Sequence, residues 1–217
     1  MDAETYKATF ADEDSPGWRA IDAAMAKLYG PGDPLGHFAP SVPPMLGGRG
    51  PDGISVYQAG GHLHYVTYGF TTLHYDEDAA GGEFSGAGFE LTFRLKGSAE
   101  TPDAVPQWPI VVMQNLFAYV QESGRWFEPG HGSPSTGGPL DKPTNPDSTS
   151  EITGVVFVED PELGTIDTPH GSVQFLQMVG LTRAECEAVL ADQTTFGALA
   201  EKLATADPLI VTDLSRR

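Results

Sequence analysis

Three histidines are the residues whose type and spacing could support metal chemistry. His62 and His64 are two residues apart, which on a β-strand places both imidazoles on one face, and His74 follows in the next segment. A zinc site needs further ligands, and the sequence contains neither a His-Glu-x-x-His motif nor a pair of closely spaced cysteines. An isolated His-x-His in a Tyr-rich strand is typical of a hydrogen-bonded structural feature, so we expect no metal and no other cofactor.

Two acidic clusters could bind an ion or act as acid and base. The run Asp76–Asp78 with Glu83 fails as a calcium loop, because the twelfth position from Asp76 is Ala87, where a bidentate Glu is needed. The cluster from Glu159 to Asp167 has carboxylates for a general acid and base, but catalysis would also need a pocket that separates their pKa values. We interpret the first cluster as a solvated acidic turn.

Motifs of the large enzyme classes are missing from the sequence. It has no Gly-rich phosphate loop ending in Lys-Ser/Thr and no Gly-x-Ser-x-Gly, and Gly86-Ala-Gly88 lacks the third glycine of a dinucleotide fingerprint. The single cysteine, Cys186, excludes an internal disulfide and falls in an expected helix, where it is predicted to be a buried apolar residue. The protein is therefore not expected to be an enzyme.

Net charge limits the class of partner. The 217 residues carry 30 Asp and Glu against 12 Lys and Arg, a formal charge of -18, which repels nucleic acid and anionic lipid and attracts basic proteins. The start of the chain lacks a basic segment followed by an apolar one, and no run is long enough to cross a membrane. We expect a cytoplasmic protein that binds no membrane; the sequence leaves its oligomeric state open.

Helical signals are clear in four places. Ser15 and Pro16 begin an amphipathic pattern that Gly30 ends, and a second pattern ends near Gly124. Thr182 forms a capping box with Glu185, and a further helix follows from about 195 to 204. Residues 1–14 are expected to be a flexible acidic terminus, 30–53 a Gly- and Pro-rich connection, and 128–150 a long Gly/Pro/Ser-rich loop without packed elements.

Strand signals alternate with these helices. Strands are predicted at 54–57, 64–68 and 89–95, then at 154–158, 173–179 and 209–212. In the third of these, Phe89, Leu91, Phe93 and Leu95 share one face, and the other face is predicted to be exposed. The fold class is α+β or mixed α/β, with residues 15–217 as a single domain in which helices pack on a central, mostly antiparallel or mixed sheet.

Six segments, in order along the chain, form a recognisable set of motifs. They are Asp52-Gly-Ile-Ser-Val-Tyr57, His64-Tyr-Val-Thr-Tyr-Gly69, Gly88-Phe-Glu-Leu-Thr-Phe-Arg-Leu95, Val158-Glu-Asp-Pro-Glu-Leu-Gly-Thr-Ile-Asp-Thr-Pro169, Phe175-Leu-Gln-Met-Val-Gly180 and Val211-Thr-Asp213. Together they resemble the Suppressor of fused family, and the similarity runs from about Trp18 to the end of the chain. The resemblance is to the N-terminal domain of animal members, and to short bacterial ones.

The resemblance implies a protein-binding module. Animal members hold a transcription factor between two domains that close on an extended peptide, and short bacterial relatives are regarded as candidate immunity proteins against toxins. An acidic residue that helps hold the peptide in animal members corresponds here to Gly82, with Glu83 adjacent, and a Trp common between the two histidines is replaced by Leu63.

The predicted function is therefore to sequester or neutralise a protein partner that is basic or presents an extended segment. The predicted binding surface combines an acidic turn with a loop; its residues are Tyr75, Asp76, Glu77, Asp78, Glu83, Pro129, Gly130 and His131. The alternative is an enzyme of unrecognised type, with a metal-assisted site near His62 and His64 or in the cluster from Glu159 to Asp167.

Overall fold

One mixed β-sheet forms the centre of the computed structural model, which describes residues 1–40, 48 and 50–217. The helices are α1 (Ala3–Thr9), α2 (Pro16–Tyr29), α3 (Trp108–Ser123), α4 (Arg183–Leu190) and α5 (Phe196–Ala206). The strands are β1 (Gly36–Phe38), β2 (Gly53–Ala59), β3 (His62–Tyr68), β4 (Phe84–Lys96), β5 (Gly132–Ser133), β6 (Ile152–Glu159), β7 (Thr165–Thr168) and β8 (Gly171–Thr182). Within the described ranges, no helix is long and apolar enough to span a bilayer.

The strand order is β1-β2-β3-β4-β8-β6-β5, and β7 also pairs with β8. Neighbours are antiparallel except β4 and β8, which run parallel and are joined through a long connection that contains α3. This confirms the predicted α+β class with a mixed sheet and packed helices.

Helices cover both faces of the sheet. The odd-numbered face of β4 packs with Leu63 and Tyr65 against α3, where Met113 and Phe117 are buried. The opposite face packs against α2 through Ile21 and Met25, and a third apolar cluster lies between α4, α5 and the β6–β8 pair. Each fully buried side chain of this size contributes about 1.5–3 kcal/mol. Helices on both faces therefore leave the central strands little contact with solvent.

Helix ends follow the sequence signals closely. Gly30 (φ 80°) and Gly124 (φ 65°) terminate α2 and α3 in backbone conformations that favour glycine. The predicted capping box is confirmed, because Thr182 and Glu185 each bond the other's backbone N–H. Ser15, in contrast, makes no capping bond; its hydroxyl pairs with His74 Nδ1 at 3.0 Å.

Two short elements occupy segments for which the sequence predicts none. Helix α1 lies before Ser15 and buries Tyr6 completely, and β1 pairs with β2 within the predicted 30–53 connection. The part of that connection at 41–47 and 49 lies outside the described residues. Both elements are too short for a periodic pattern, and each is held by partners distant in sequence.

The predicted last strand, 209–212, is wrong. Ile210 has φ 49°, which interrupts an extended conformation, and only Thr212 makes a bridge, with Leu95. The 128–150 loop also contains structure, because β5 pairs with β6. Asp141 is buried in this loop and accepts a hydrogen bond from the Ser148 hydroxyl at 2.6 Å. Hydrogen bonds, which leave no apolar pattern, organise these segments.

The prediction that one face of β4 is exposed is also wrong. Glu90, Thr92 and Arg94 have no exposed surface. Alternating polar residues normally indicate a solvated face, but here α2 and the turn after β6 cover that face, so each polar group requires a buried partner.

Glu90 obtains four hydrogen bonds. Its Oε1 accepts from Gly69 N (2.9 Å), Thr71 N (3.0 Å) and Thr71 Oγ1 (2.6 Å), and its Oε2 lies 2.6 Å from Thr67 Oγ1. Burial raises the pKa of Glu90 to about 7 despite these bonds. In the protonated form Oε2–H donates to Thr67 Oγ1, which can donate in turn to Leu91 O at 3.3 Å. Glu90 on β4 therefore holds the start of the β3–β4 connection through hydrogen bonds in both its charged and its protonated form.

We predict that Glu90→Gln is tolerated and removes a pH dependence. The amide can accept the same three bonds on oxygen and donate to Thr67 from nitrogen. A carboxyl with a raised pKa stabilises the fold below its unfolded pKa and loses that contribution as pH rises through about 7. The stability of the native protein relative to Glu90→Gln should therefore fall between pH 5 and 8, by up to about 3 kcal/mol.

Chemical denaturation at several pH values measures this difference. Glu90→Ala is the control, because it strands the buried donors and should cost about 2–5 kcal/mol at every pH. A constant difference between the native protein and Glu90→Gln would show that Glu90 does not titrate in this range.

Candidate functional site

The acidic turn, Tyr75–Glu83, connects β3 to β4 and holds its carboxylates at the surface. Asp76 Oδ1 accepts from Asp78 N at 3.0 Å, an Asx-type turn that orders the segment. The Tyr75 hydroxyl donates to Glu77 Oε1 at 2.6 Å, and this hydrogen bond raises the pKa of Tyr75 to about 12. The turn presents a fixed and strongly negative surface.

The loop Pro129–His131 lies beside β6. Gly130 N donates to Phe157 O at 2.8 Å, and Phe157 N donates back to His131 O at 2.9 Å. Gly130 has φ 86°, a conformation that the tight turn requires. All three residues are exposed, so the loop is held by its bonds to β6 and is open to solvent.

A groove of about 410 Å³ is lined by residues that directly follow the acidic turn and directly precede the Pro129–His131 loop in the sequence. One wall continues from Glu83 through Phe84 to Phe89, and the other consists of Trp126–Glu128, which leads into the Pro129–His131 loop. Phe84 and Trp126 are both 61% exposed, although burial of such aromatic rings is strongly favourable. Exposed aromatic side chains at a groove are typical of binding sites.

A large β-bulge forms the first wall. Phe84 pairs with Ser172 and Phe89 with Gln174, so the residues Ser85–Gly88 lie opposite a single residue of β8. Gly86 has φ 55°, and a Cβ there would lie 2.8 Å from Phe70 O. The Gly-x-Gly sequence is therefore required by the backbone of the groove.

Sequence reasoning missed Phe84 and Trp126. Each stands in a short Gly-containing stretch outside any periodic pattern, Gly82-Glu-Phe84-Ser-Gly86 and Gly124-Arg-Trp126. An aromatic residue that no amphipathic element needs for its core was the signal available in the sequence.

The buried face of β4 contacts Asp160, which belongs to the predicted acidic cluster from Glu159 to Asp167. Arg94 donates from Nη1 to Asp160 Oδ2 at 2.6 Å and from Nη2 to Asp160 Oδ1 at 3.1 Å. Its Nη2 also reaches Glu162 Oε2 at 2.9 Å, and Nη1 bonds the Gln177 side chain. Asp160 Oδ1 further accepts from Leu163 N at 3.0 Å. Both partners of this bidentate pair are fully enclosed.

His64 completes this cluster. Its Nδ1 lies 2.7 Å from the Tyr29 hydroxyl, and its Nε2 lies 3.4 Å from Asp160 Oδ2, beyond a normal N–H···O distance. Burial lowers the pKa of His64, so the ring is neutral. Burial alone would raise the pKa of Asp160, but the nearby His64 ring and the hydrogen bonds from Arg94 outweigh it and hold that pKa below its usual range.

The residues of the enzyme alternative are brought together only in part, because His64 lies beside Asp160 in the buried ion-pair network. His74 is exposed near Ser15, whereas His62 and His64 are buried on β3. In the cluster from Glu159 to Asp167, Asp160 is buried while its two end residues are exposed. Among the described residues no group of three or more His, Cys, Asp or Glu is placed to hold a metal ion. Asp160 serves the ion pair and an Asx turn.

The fold and the site together define a single-domain α+β protein with a surface groove and an enclosed ion-pair network. A family model described as Suppressor of fused protein (SUFU) matches residues 49–217. Human and mouse proteins named Suppressor of fused homolog are each 37% identical over 191 residues, covering 79% of this chain. The chain belongs to the Suppressor of fused family.

Solved structures agree with this assignment. A crystal structure of a Sufu–Fu complex contains a chain 30% identical to this one, with TM-score 0.79 and coverage of 94% of this chain and 92% of that chain. Drosophila Suppressor of Fused is also 30% identical with TM-score 0.79, over 95% of this chain but 52% of its own. A putative homologue from Neisseria gonorrhoeae, 13% identical with TM-score 0.59, shares the fold over 93% of this chain and 95% of its own. The chain spans only 37% of the human and mouse relatives.

We predict that breaking the enclosed ion pair destabilises the protein more than removing it. Asp160→Leu leaves the buried Arg94 charge with only the partly exposed Glu162 as an ionic partner and should cost about 3–5 kcal/mol. The double variant Arg94→Met/Asp160→Leu should recover much of that loss, because no unpaired charge remains.

A double-mutant cycle by urea denaturation measures the coupling. Lys96→Met/Asp213→Leu is the matched control, because Lys96 ends the same strand and its side chain is 64% exposed. This exposed pair should contribute about 1 kcal/mol or less. Additive effects at Arg94 and Asp160 would contradict the predicted coupling.

Proposed function

We propose that this chain is a non-catalytic module that binds and sequesters a protein partner through the groove and its two flanking segments. The observation that carries the proposal is the pair of exposed aromatic rings, Phe84 and Trp126, one from each of the two chain segments that line the groove. Aromatic anchors of this kind provide much of the binding energy in protein interfaces. The proposed surface includes the predicted acidic turn and the Pro129–His131 loop.

Charge indicates what kind of partner fits. The acidic turn flanks one wall and Glu128 lines the other, in a chain with a formal charge of -18. A basic segment is therefore attracted to the groove, and this attraction accelerates association more than it lowers the dissociation rate. A toxin domain neutralised by this chain is one member of the proposed partner class. The cytoplasmic location stays a prediction.

The backbone of the groove favours an extended segment. The bulge at Ser85–Gly88 leaves the regular β4–β8 ladder, and an extended peptide can use such backbone groups while its side chains contact the aromatic walls. A relative has been crystallised as a Sufu–Fu complex, which supports protein binding as the family's mode of action. Gly82 offers no carboxylate in this chain, so we assign the acidic contact to the exposed neighbour Glu83.

We predict that neutralising the acidic turn slows partner binding. Tagged protein is used to capture its partner from lysate of its own source at low salt, and association with the purified partner is then timed. A fourfold-neutralised variant should associate about tenfold or more slowly at low salt, and the difference should shrink as salt rises. Its substitutions are Asp76→Asn, Glu77→Gln, Asp78→Asn and Glu83→Gln.

The matched control changes net charge equally at exposed acidic residues outside the proposed surface. Its substitutions are Glu100→Gln, Asp103→Asn, Asp147→Asn and Glu187→Gln. Equal slowing by both variants would mean that only overall charge matters. Capture of no specific protein at any salt would argue against the binding function itself.

We predict that the aromatic walls provide affinity independent of salt. Trp126→Ala and Phe84→Ala should each weaken partner binding by about 2 kcal/mol or more, measured by calorimetry in moderate salt. Thermal unfolding should change little, since both side chains are largely exposed. Leu190→Ala is the matched control, because Leu190 is 58% exposed on α4 and should affect neither property. Unchanged affinity in both aromatic variants would exclude this groove as the interface.

A further inference from the structure

Helix α1 contacts the acidic turn, and its one buried side chain lies at the centre of that contact. Tyr6 is its only buried residue, and the Tyr6 ring lies 5.2 Å from the Tyr75 ring and 5.4 Å from the His170 ring. With seven residues, α1 is too short to be stable in isolation. Its conformation therefore depends on the site that receives Tyr6.

The hydrogen-bonding groups around Tyr6 are arranged for a phenol. His170 Nδ1 lies 2.9 Å from Thr72 O, a carbonyl that can only accept, so Nδ1 carries the proton and Nε2 is an acceptor. The Tyr6 hydroxyl, 2.7 Å away, donates to Nε2 and accepts from Asp76 N at 3.1 Å. A single hydroxyl on an aromatic ring thus pairs both an acceptor, His170 Nε2, and a donor, Asp76 N–H.

The acidic turn also binds a basic side chain of α1, Lys7, which follows Tyr6. Lys7 Nζ lies 2.5 Å from Glu77 Oε2, and this ion pair lowers the pKa of Glu77 and raises that of Lys7. The backbone at Met1 packs closely on the turn, because a Cβ at Gly81 would lie 2.1 Å from Met1 O. The N-terminal segment thus binds the acidic turn through a tyrosine and a lysine. A partner segment with a tyrosine and a basic residue would make the same contacts.

We propose that the acidic turn contains a tyrosine-binding site, that α1 occupies it in the free protein, and that a partner segment with tyrosine followed by a basic residue replaces α1 there. The part that concerns the partner rests on the proposed function. The family model begins at residue 49, so α1 lies outside the part of the chain that it matches. A tethered occupant competes at high effective concentration although its own contacts are few.

The tyrosine-binding site can be tested without a partner protein, by measuring whether a peptide with the sequence of α1 binds to it. The probe is an acetylated and amidated peptide of residues 3–9 (AETYKAT), titrated into isotope-labelled full-length protein carrying Tyr6→Ala. We expect saturable shifts of the amide signals of Asp76 and Gly81 and of the His170 ring. A peptide with Tyr6→Phe, which lacks the hydroxyl, should bind several-fold more weakly.

Absence of saturable shifts, or equal shifts with a Tyr6→Ala peptide, would overturn the tyrosine site. If Tyr6→Ala unfolds the whole chain, Lys7→Glu in the protein provides the same test, because Lys7 is exposed and its loss only loosens α1. Lys202→Glu, an equal charge change at an exposed position on α5, is then the control.

Competition with the partner is tested by comparing native and Tyr6→Ala protein. If α1 is docked about nine-tenths of the time, its release should tighten partner binding about tenfold. Unchanged partner affinity, with the peptide still binding, would overturn the competition while the proposed function remained valid. Failure of the groove variants to affect the partner would instead count against the proposed function.

Discussion

A buried arginine on the central strand is the constraint on which the rest of the sheet depends. Arg94 has no exposed surface, and its guanidinium is paired with Asp160 from the turn after β6 and with Gln177 from β8. An unpaired charge at this depth would cost several kcal/mol, so the three segments must meet in one arrangement. The interaction is non-local, since Arg94 and Gln177 are 83 residues apart. It favours a single register for the parallel β4–β8 pair.

This register determines the shape of the proposed binding surface. From Phe89 onward, β4 and β8 pair in a regular register. Before Phe89, β4 has more residues than the facing part of β8, and the bulge at Ser85–Gly88 contains these extra residues. The extra residues of the bulge leave Phe84 exposed beside the groove. Trp126, which follows Gly124 at the end of α3, lines the same groove. A charge-paired sheet thus supports an irregular segment at the start of the β4–β8 pair, and irregular segments on rigid scaffolds are suited to binding.

The same sheet separates two kinds of acidic residue. Glu90 and Asp160 are enclosed, and their hydrogen bonds and ion pairs serve the fold. The carboxylates of the acidic turn are exposed, and those of Asp76 and Glu77 order the turn or hold α1. Net charge alone gives no hint of this division, although the two kinds respond differently to salt, because buried pairs are screened far less than exposed ones.

Sequence patterns determined the local features of this protein. Helix ends at Gly30 and Gly124, the capping box at Thr182, the main strands and the mixed sheet all follow from backbone preferences and short-range periodicity, which act within a few residues. Family membership follows as well, because its motifs are read in order along the chain.

Only the tertiary structure decided which polar residues are buried and which aromatic residues are exposed. The alternation in β4 predicts a solvated face, but α2 covers it, and the docking of α1 depends on His170, 164 residues from Tyr6. The groove combines Phe84 with Trp126 from opposite sides of α3 in the sequence. Burial and exposure arise from contacts between distant segments, and such contacts leave no periodic signal in either segment.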